Sequence, residues 1–393
     1  MNLSGNAMLK KLDCINAISL FANIGVAEAY FDEIGINVVA ANELVKRRAD
    51  LYQRIYPHTK MVCGDIFDSN IQNILIEISK KNKVELIMAT PPCQGMSTAG
   101  QQKVDDFRNT LFLPVITLVQ QIRPKFVFIE NVPMFLQTDI LYGDKRKKII
   151  DIITDELGHE YIINCNVADT ADYGVPQTRE RAILLLTRKD LGDVWTIPPK
   201  EDKKTTMRDA IGHLPIVDPF IRDISSDELL ELFPHYYERE QAALAISPWH
   251  VPPRHIKRQV IAMMHTPTGQ TAFSNVDKYK PKKENGENCK GFFNTYKRQE
   301  WDMPAYTVTM DNRKISSQNN VHPGRYVGKN KDGEDIYSDA RALTIYELMK
   351  IMSLPDNWPL PKNTEKAFLR SIIGEGIPPL FVKKVFLNLP RKK

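Results

Sequence analysis

Between residue 15 and about residue 187, short apolar runs alternate with amphipathic stretches, and this alternation narrows the possible folds more than any other feature of the chain. The runs are "NAISLF", "NVVAANE", "KMVCGD", "VELIMAT", "KFVFIEN", "YIINCNVAD" and "AILLLT", while 44–55, 69–80 and 109–122 carry apolar residues at helical spacing. Nearly continuous apolar runs suit strands covered on both faces, and helices between them supply the cover. The pattern predicts an α/β fold, a doubly wound sheet of Rossmann-like type. From about 189 to 338 the periodicity gives way to Pro, Gly, Lys and Asn, which predicts a second, smaller and irregular domain. Helical patterning returns at "ALTIYELMKIM" and after "GEGIPPLF". The expected division is therefore 1–188 with 339–393 in one domain and 189–338 in the other.

Charge and cysteine usage exclude several classes. The five cysteines (14, 63, 93, 165 and 289) are odd in number and form no C-x-x-C pair, so neither a disulfide framework nor a metal site is expected, and a reducing cytoplasm fits. No run approaches the roughly 18 apolar residues of a membrane span. Lys10 and Lys11 are followed by a stretch broken by Asn16, Asn23 and Glu28, unlike a secretory leader. The net charge of +5 is modest, but residues 251–300 hold ten Lys/Arg against four acids, interleaved with Phe292, Phe293, Tyr296 and Trp301. That mixture suits a phosphate backbone as well as it suits a plain solvated face. A monomer is the default expectation.

In an open α/β sheet, ligands gather at the carboxyl ends of the strands. Here those ends carry Phe21 to Gly25, Glu43, Asp65, Cys93 and Glu130. In "SLFANIG" a tight turn with Gly25 permits close backbone approach, Glu43 follows some twenty residues on, where a carboxylate takes ribose hydroxyls, and Asp65 ends the third strand. Three consecutive strand ends agree on an adenosine site, although each acid alone also reads as a cap or turn residue. In "VELIMATPPCQGMSTAG", Pro91 and Pro92 end the strand and hold Cys93 on a stiff turn; taken alone, Cys93 equally reads as a small apolar residue under a loop. Glu130 ends an apolar strand, where an unpaired carboxylate is costly, and Arg179 and Arg181, two apart, are expected to face one cleft.

Taken in order, "PPCQGMSTAG", "DDFRNTLF", "ENV", "QTRER", "RALTIYELMKIMSLPDNW" and "GEGIPP" resemble the DNA (cytosine-5)-methyltransferase family, of the bacterial restriction-modification type. The likeness spans nearly all of the chain outside 189–338, where that family carries its target-recognition domain. It implies S-adenosylmethionine as cofactor, double-stranded DNA as substrate and a possible cognate restriction endonuclease acting on the same site. It implies further that Cys93 attacks cytosine C6, that Glu130 holds N3 and the exocyclic amine, that Arg181 contacts O2, and that Arg179 lies near the thiol and a phosphate. The target base would be flipped from the duplex, with Gly95 to Arg108 closing over it. Around the cofactor the resemblance places Phe21, Asn23, Gly25, Glu43, Asp65, Ile66, Pro91 and Leu111.

Three positions depart from the family pattern: Ser19 replaces an acid, Asn23 a glycine and Glu375 an asparagine. A transfer-RNA cytosine-5 methyltransferase of the same fold shares the Pro-Pro-Cys-Gln core. The glycine after Gln94 and the long region before "RALT" favour DNA. A catalytically inactive DNA-binding relative is the other alternative, and retention of Cys93, Glu130, Arg179 and Arg181 together argues against it.

Overall fold

The computed structural model describes residues 14–92 and 106–391. Cys93 and the loop positions up to 105 lie outside the described residues. Seven strands form one mixed sheet: β1 (Ile15–Leu20), β2 (Ile36–Glu43), β3 (Lys60–Cys63), β4 (Leu86–Ala89), β5 (Phe126–Asn131), β8 (Tyr161–Asp169) and β9 (Glu180–Arg188), in the order β3-β2-β1-β4-β5-β9-β8. The first five pair in parallel, whereas β9 runs antiparallel to both β5 and β8. Each apolar run named from the sequence corresponds to one of these strands. Between β5 and β8 lies a hairpin that the sequence pattern does not announce, β6 (Asp139–Tyr142) with β7 (Lys145–Lys148).

Both faces of the sheet are covered, which is why its central strands tolerate unbroken apolar sequence. One face packs Ile18, Ile87, Val127, Ile129 and Leu184 with Phe112 and with residues of α3 (Leu113–Ile122) and α4 (Ile149–Leu157). On the same chain run, α1 (Lys46–Ile55) follows β2, and α2 (Ser69–Lys81) follows β3 with the Asp68 side chain accepting the Asn70 N–H at its start. The residues alternating with these, Phe126 and Phe128, meet Trp195 and the C-terminal helix Pro379–Leu387. Ring centroids there lie 5.1 Å apart for Phe128 and Phe386 and 5.2 Å for Trp195 and Phe386, and the Trp195 indole donates to the Val385 carbonyl at 2.9 Å.

The chain divides into two compact units, one of Met1–Asp169, Glu180–Lys200 and Pro379–Lys393, the other of Thr170–Arg179 and Glu201–Pro378. The boundaries expected at 188/189 and 338/339 thus move. Residues 339–378 join the second unit because Arg341 is sunk in it, fully buried, donating to Asp339 at 2.7 Å, to both Glu347 oxygens at 2.8 Å and to the Val217 carbonyl. The second unit is also less irregular than its composition predicts. It holds α5 (Met207–Ile211), α6 (Ser226–Leu232), α7 (Tyr236–Ile246), α8 (Lys257–Met264), α9 (Ile345–Ile351) and α10 (Lys366–Ile373), with a core that includes Leu229, Phe233, Val260, Met263 and Val321. α7 buries only Tyr236 and Ala243, so it leaves little periodic signal to read.

Two histidines of this unit are locked in the neutral form. The Ala342 N–H donates to His255 Nε2 at 3.2 Å, and the Gly324 N–H to His322 Nδ1 at 3.0 Å, so each ring accepts where an imidazolium could only donate. Burial, with Arg341 and Arg370 adding to it, lowers His255 to about 3. Burial lowers His322 to about 4 against the opposing pull of Asp339 and Glu347. The unfolded chain takes up these two protons near pH 6.5 and the folded chain only near 4 and below, so their effect is absent above pH 6.5 and destabilises progressively beneath it. We expect the denaturant midpoint to fall between about pH 7 and pH 4.5, and His255→Gln, whose amide oxygen can accept the same N–H, to shallow that fall. An identical slope in the variant would show that His255 does not titrate on unfolding.

Candidate functional site

The turn after β1 is closed from two sides. Phe21, Asn23 and Gly25 all take positive φ (58°, 50° and 79°), and the Gly25 N–H returns to the Ala22 carbonyl at 2.9 Å. Glu43, the last residue of β2 and 6% exposed, accepts the Asn23 N–H on one carboxylate oxygen and the Val45 N–H on the other, each at 2.9 Å. A carboxylate has about four acceptor sites, so Glu43 retains capacity for ligand hydroxyls. Behind the turn, the Tyr56 hydroxyl donates to the Gly25 carbonyl at 2.5 Å, and a Cβ at position 25 would fall 2.1 Å from the Tyr56 ring. Only glycine fits there. Asparagine at 23 is compatible with its backbone, since it adopts the left-handed region more readily than most residues.

Along the same edge, Asp65 is exposed and folds its carboxylate onto the Phe67 N–H at 3.0 Å, while Ile66 beside it is buried. Phe67 and Phe107 pack with centroids 5.1 Å apart, Leu111 is half-buried, and Pro91 is buried at the end of β4. A buried acid, an exposed acid and apolar walls suit the ribose, the amine and the ring of an adenosine. Glu28 is a further acid of this region that sequence pattern alone does not single out. It is 3% exposed, accepts from the Ser19 hydroxyl at 2.5 Å, and its other oxygen is buried with no hydrogen-bond partner among the described residues. Burial pushes this carboxyl up to about 7 against the Ser19 bond.

The other acid at this edge is Glu130, 8% exposed at the end of β5. It is not unpaired: Arg181 Nε lies 2.7 Å from its carboxylate. The antiparallel register, Glu130 opposite Ile183, brings the start of β9 to the end of β5. The neighbouring Asn131 donates from its amide to the Pro91 carbonyl at 3.1 Å and accepts its own following N–H, from Val132, at 2.9 Å. It therefore ties the acid-bearing strand to the Pro-Pro turn that precedes Cys93. The "ENV" string carries this signal in its asparagine, beside the glutamate that the sequence singles out.

Arg179, the other arginine of "QTRER", has main-chain partners. It precedes β9, belongs to the second unit and is 3% exposed, with its guanidinium donating to the carbonyls of Val308 (3.2 Å), Gly374 (3.0 Å) and Glu375 (3.1 Å). Because the bond at 375 is to the main chain, the glutamate there leaves it intact. The basic tract of this unit is also partly spent. Arg298 is fully buried and donates to four carbonyls, Lys283 pairs with Glu287 at 2.9 Å, and Lys282 lies 3.6 Å from Asp277. Tyr296 and Trp301 are core residues, while Phe292 and Phe293 are 77% and 75% exposed beside an exposed Lys290.

A profile of the C-5 cytosine-specific DNA methylase family matches residues 15–391. The chain belongs to this family. It is 42% identical over 376 residues to the Type II methyltransferase M1.HgaI of Avibacterium volantium, covering 94% of this chain and 97% of that one. Among solved structures, the Entamoeba histolytica methyltransferase EhMeth shares the fold at a TM-score of 0.58 and 15% identity, over 97% of this chain and 100% of the other. The Spodoptera frugiperda DNMT2 mutant structure does so at 0.54 and 16%, over 95% and 99%. The activity class is that of a DNA (cytosine-5) methyltransferase, and no helix of the described residues is long and apolar enough to cross a membrane.

Within the family frame, Glu28 stands out as a titrating group under the β1 turn. Its folded value lies above that of an unfolded glutamate, so the stability it contributes is present below about pH 4.5 and is lost as pH rises through 7. Glu28→Gln removes the titration while keeping an acceptor for Ser19. We expect the melting temperature of the wild type, measured relative to this variant, to decline from about pH 5 to pH 8. A difference independent of pH would rule out a titrating Glu28.

Proposed function

We propose that the protein methylates C5 of one cytosine within a specific duplex DNA site, with S-adenosylmethionine as donor and Cys93 as a transient covalent catalyst. The observation that carries this reading is the strand end at which Glu130, held by Arg181, sits beside Asn131, itself bonded to the turn leading to Cys93. Cytosine C5 is a poor nucleophile. The Cys93 thiolate would add to C6, forming the S–C6 bond and pushing the double-bond electrons onto C5, while Glu130 holds N3 and the exocyclic amine and Arg181 steadies the charge at O2. S-adenosylmethionine supplies an electrophilic methyl group when bound. A base then removes the C5 proton, the C–H electrons restore the C5–C6 double bond, and Cys93 leaves as thiolate. C6 is shielded in a stacked duplex, so the base must be flipped out, with the loop Gly95 to Arg108 as its cover.

For the cofactor, Glu43 would take the ribose hydroxyls and Asp65 the adenine amine, with Phe21, Asn23, Gly25, Ile66, Pro91 and Leu111 around them. Arg179, whose guanidinium donates to the carbonyls of Val308, Gly374 and Glu375, would be the companion arginine near the thiol and a phosphate. The second unit, with Phe292, Phe293 and Lys290 exposed, is assigned to reading the target, in keeping with a Type II relative for which a cognate endonuclease is a natural partner.

Duplex DNA carrying 5-fluorocytosine in the target site should trap the wild type in a complex that survives denaturation, because fluorine cannot leave as the proton does. Cys93→Ser should form no such complex and lose methylation while still binding DNA; an active Cys93→Ser protein would refute the mechanism. Transfer of label from tritiated S-adenosylmethionine to bulk tRNA but not to duplex DNA would favour the transfer-RNA reading instead.

Glu43→Ala removes an acceptor that serves both the turn and the ribose. It should weaken S-adenosylmethionine binding by about 1–3 kcal/mol, roughly five- to a hundred-fold, in a direct titration. Unchanged affinity would place the cofactor elsewhere.

A further inference from the structure

The hairpin β6–β7 begins nine residues after Glu130 and carries Lys145, Arg146, Lys147 and Lys148 in succession. It is held rigidly. Ile140 enters the sheet core together with Phe135, the Tyr142 hydroxyl donates to Glu156 at 2.8 Å, the Ile149 N–H closes the base of the hairpin on the Thr138 carbonyl at 3.0 Å, and the turn uses Gly143 at φ 65°. Strand alternation then fixes the outward face. In the register, Asp139 opposes Lys148 and Leu141 opposes Arg146, and all four are exposed, whereas Lys147, opposite buried Ile140, turns back to pair with Asp155. The Lys145 and Lys148 ammonium groups have no ion-pair partner among the described residues.

This arrangement is electrostatically unfavourable for the protein alone. Four consecutive cations repel one another, and they immediately precede α4, whose N-terminal dipole end disfavours positive charge. Ile140 and Tyr142 anchor the hairpin, and of the four cations Lys147 is paired with Asp155. A polyanion would relieve the repulsion. From the end of β5 to the start of the hairpin the chain reaches at most about 30 Å, within roughly one turn of a duplex from a base held at Glu130.

We infer that the exposed cations of the β6–β7 hairpin, Arg146 and Lys148 on its outward face and Lys145 exposed beside the turn, form a phosphate-backbone contact for duplex DNA on the catalytic unit itself, separate from the target-reading unit. This rests on the DNA-methylating reading above. Phosphate contacts add affinity and orientation but carry no sequence information. The hairpin therefore strengthens binding to cognate and non-cognate duplexes alike.

The test is the salt dependence of duplex binding, followed by fluorescence anisotropy for the wild type, for the triple variant Lys145→Gln, Arg146→Gln, Lys148→Gln, and for Asp139→Asn. Every phosphate that is no longer neutralised should reduce the slope of log affinity against log salt by about 0.9, so the triple variant should be shallower by roughly 2 to 3. Its preference for cognate over non-cognate DNA should stay as in the wild type, and its melting temperature should be no lower. Asp139→Asn, which removes the acid facing Lys148, should tighten binding at low salt and guards against a triple variant that fails to fold. Wild-type slope in the triple variant, or unchanged affinity in Asp139→Asn, would overturn the proposal. If either result came with intact 5-fluorocytosine trapping, the function would stand and only the hairpin assignment would fall. A wild type that neither bound nor was trapped by duplex DNA would overturn both.

Discussion

The direction of one strand decides where the chemistry can be. β9 enters the sheet antiparallel to β5, so its first residues lie against the last residues of β5, and Arg181 meets Glu130 at 2.7 Å. Were β9 parallel, that arginine would sit at the opposite edge, and Glu130 would be a buried carboxylate without a cation. Leaving one member of such a pair alone costs about 3–5 kcal/mol, a large share of the stability of an ordinary domain. The antiparallel insertion thus makes a buried acid tolerable at the one edge where the parallel strands also deliver Glu43, Asp65 and the Pro-Pro turn.

Much of the sheet was legible in the sequence because strands covered on both faces are apolar without interruption. The hairpin Asp139–Lys148 was not, because little of it enters the core and most of the rest is charged, so neither period-two alternation nor an apolar run marks it. The site was legible where strand ends carry acids. The carbonyl partners of Arg179 were not legible, because they are main-chain atoms at 308, 374 and 375. Asn131 was hidden for the same reason. Its partner, the Pro91 carbonyl, is a main-chain atom 40 positions away, and nothing in side-chain pattern reports that.

The C-terminal boundary has a similar explanation. "RALT" reads as the approach to a helix, and so it is: Thr344 and Glu347 form a capping box at the start of α9. Yet the same Glu347 is the acceptor for Arg341, and burial, which alone would raise its carboxyl, is overcome by Arg341, which holds it below the ordinary glutamate range. Asp339 is treated in the same way and also accepts the Val217 N–H at 3.0 Å. A cap that is also one end of a buried ion cluster binds its helix to whatever supplies the other charges, here the second unit. Sequence shows the cap and conceals the cluster, since its members come from 217, 322, 339, 341 and 347.

Ser19 and Glu28 show how a departure from a family pattern can be a relocation. Read position by position, the chain lacks an acid at the end of its first strand. In space a carboxyl is present, reached from nine residues further on and bonded to the serine that stands in the acid's place. The relocation has a physical consequence. Glu28 is enclosed, with one oxygen unpartnered among the described residues, and burial keeps it neutral from about 4.5 up to about 7, where an ordinary glutamate is charged. The turn at Asn23 and Gly25 is consequently supported by Glu43 and Tyr56, both of which bond its main chain directly, rather than by a charge beneath it. Main-chain bonds of this kind fix backbone shape whatever residue stands at 23, which is why asparagine can occupy a position where the family pattern has glycine, while position 25, pressed against a tyrosine ring, cannot change.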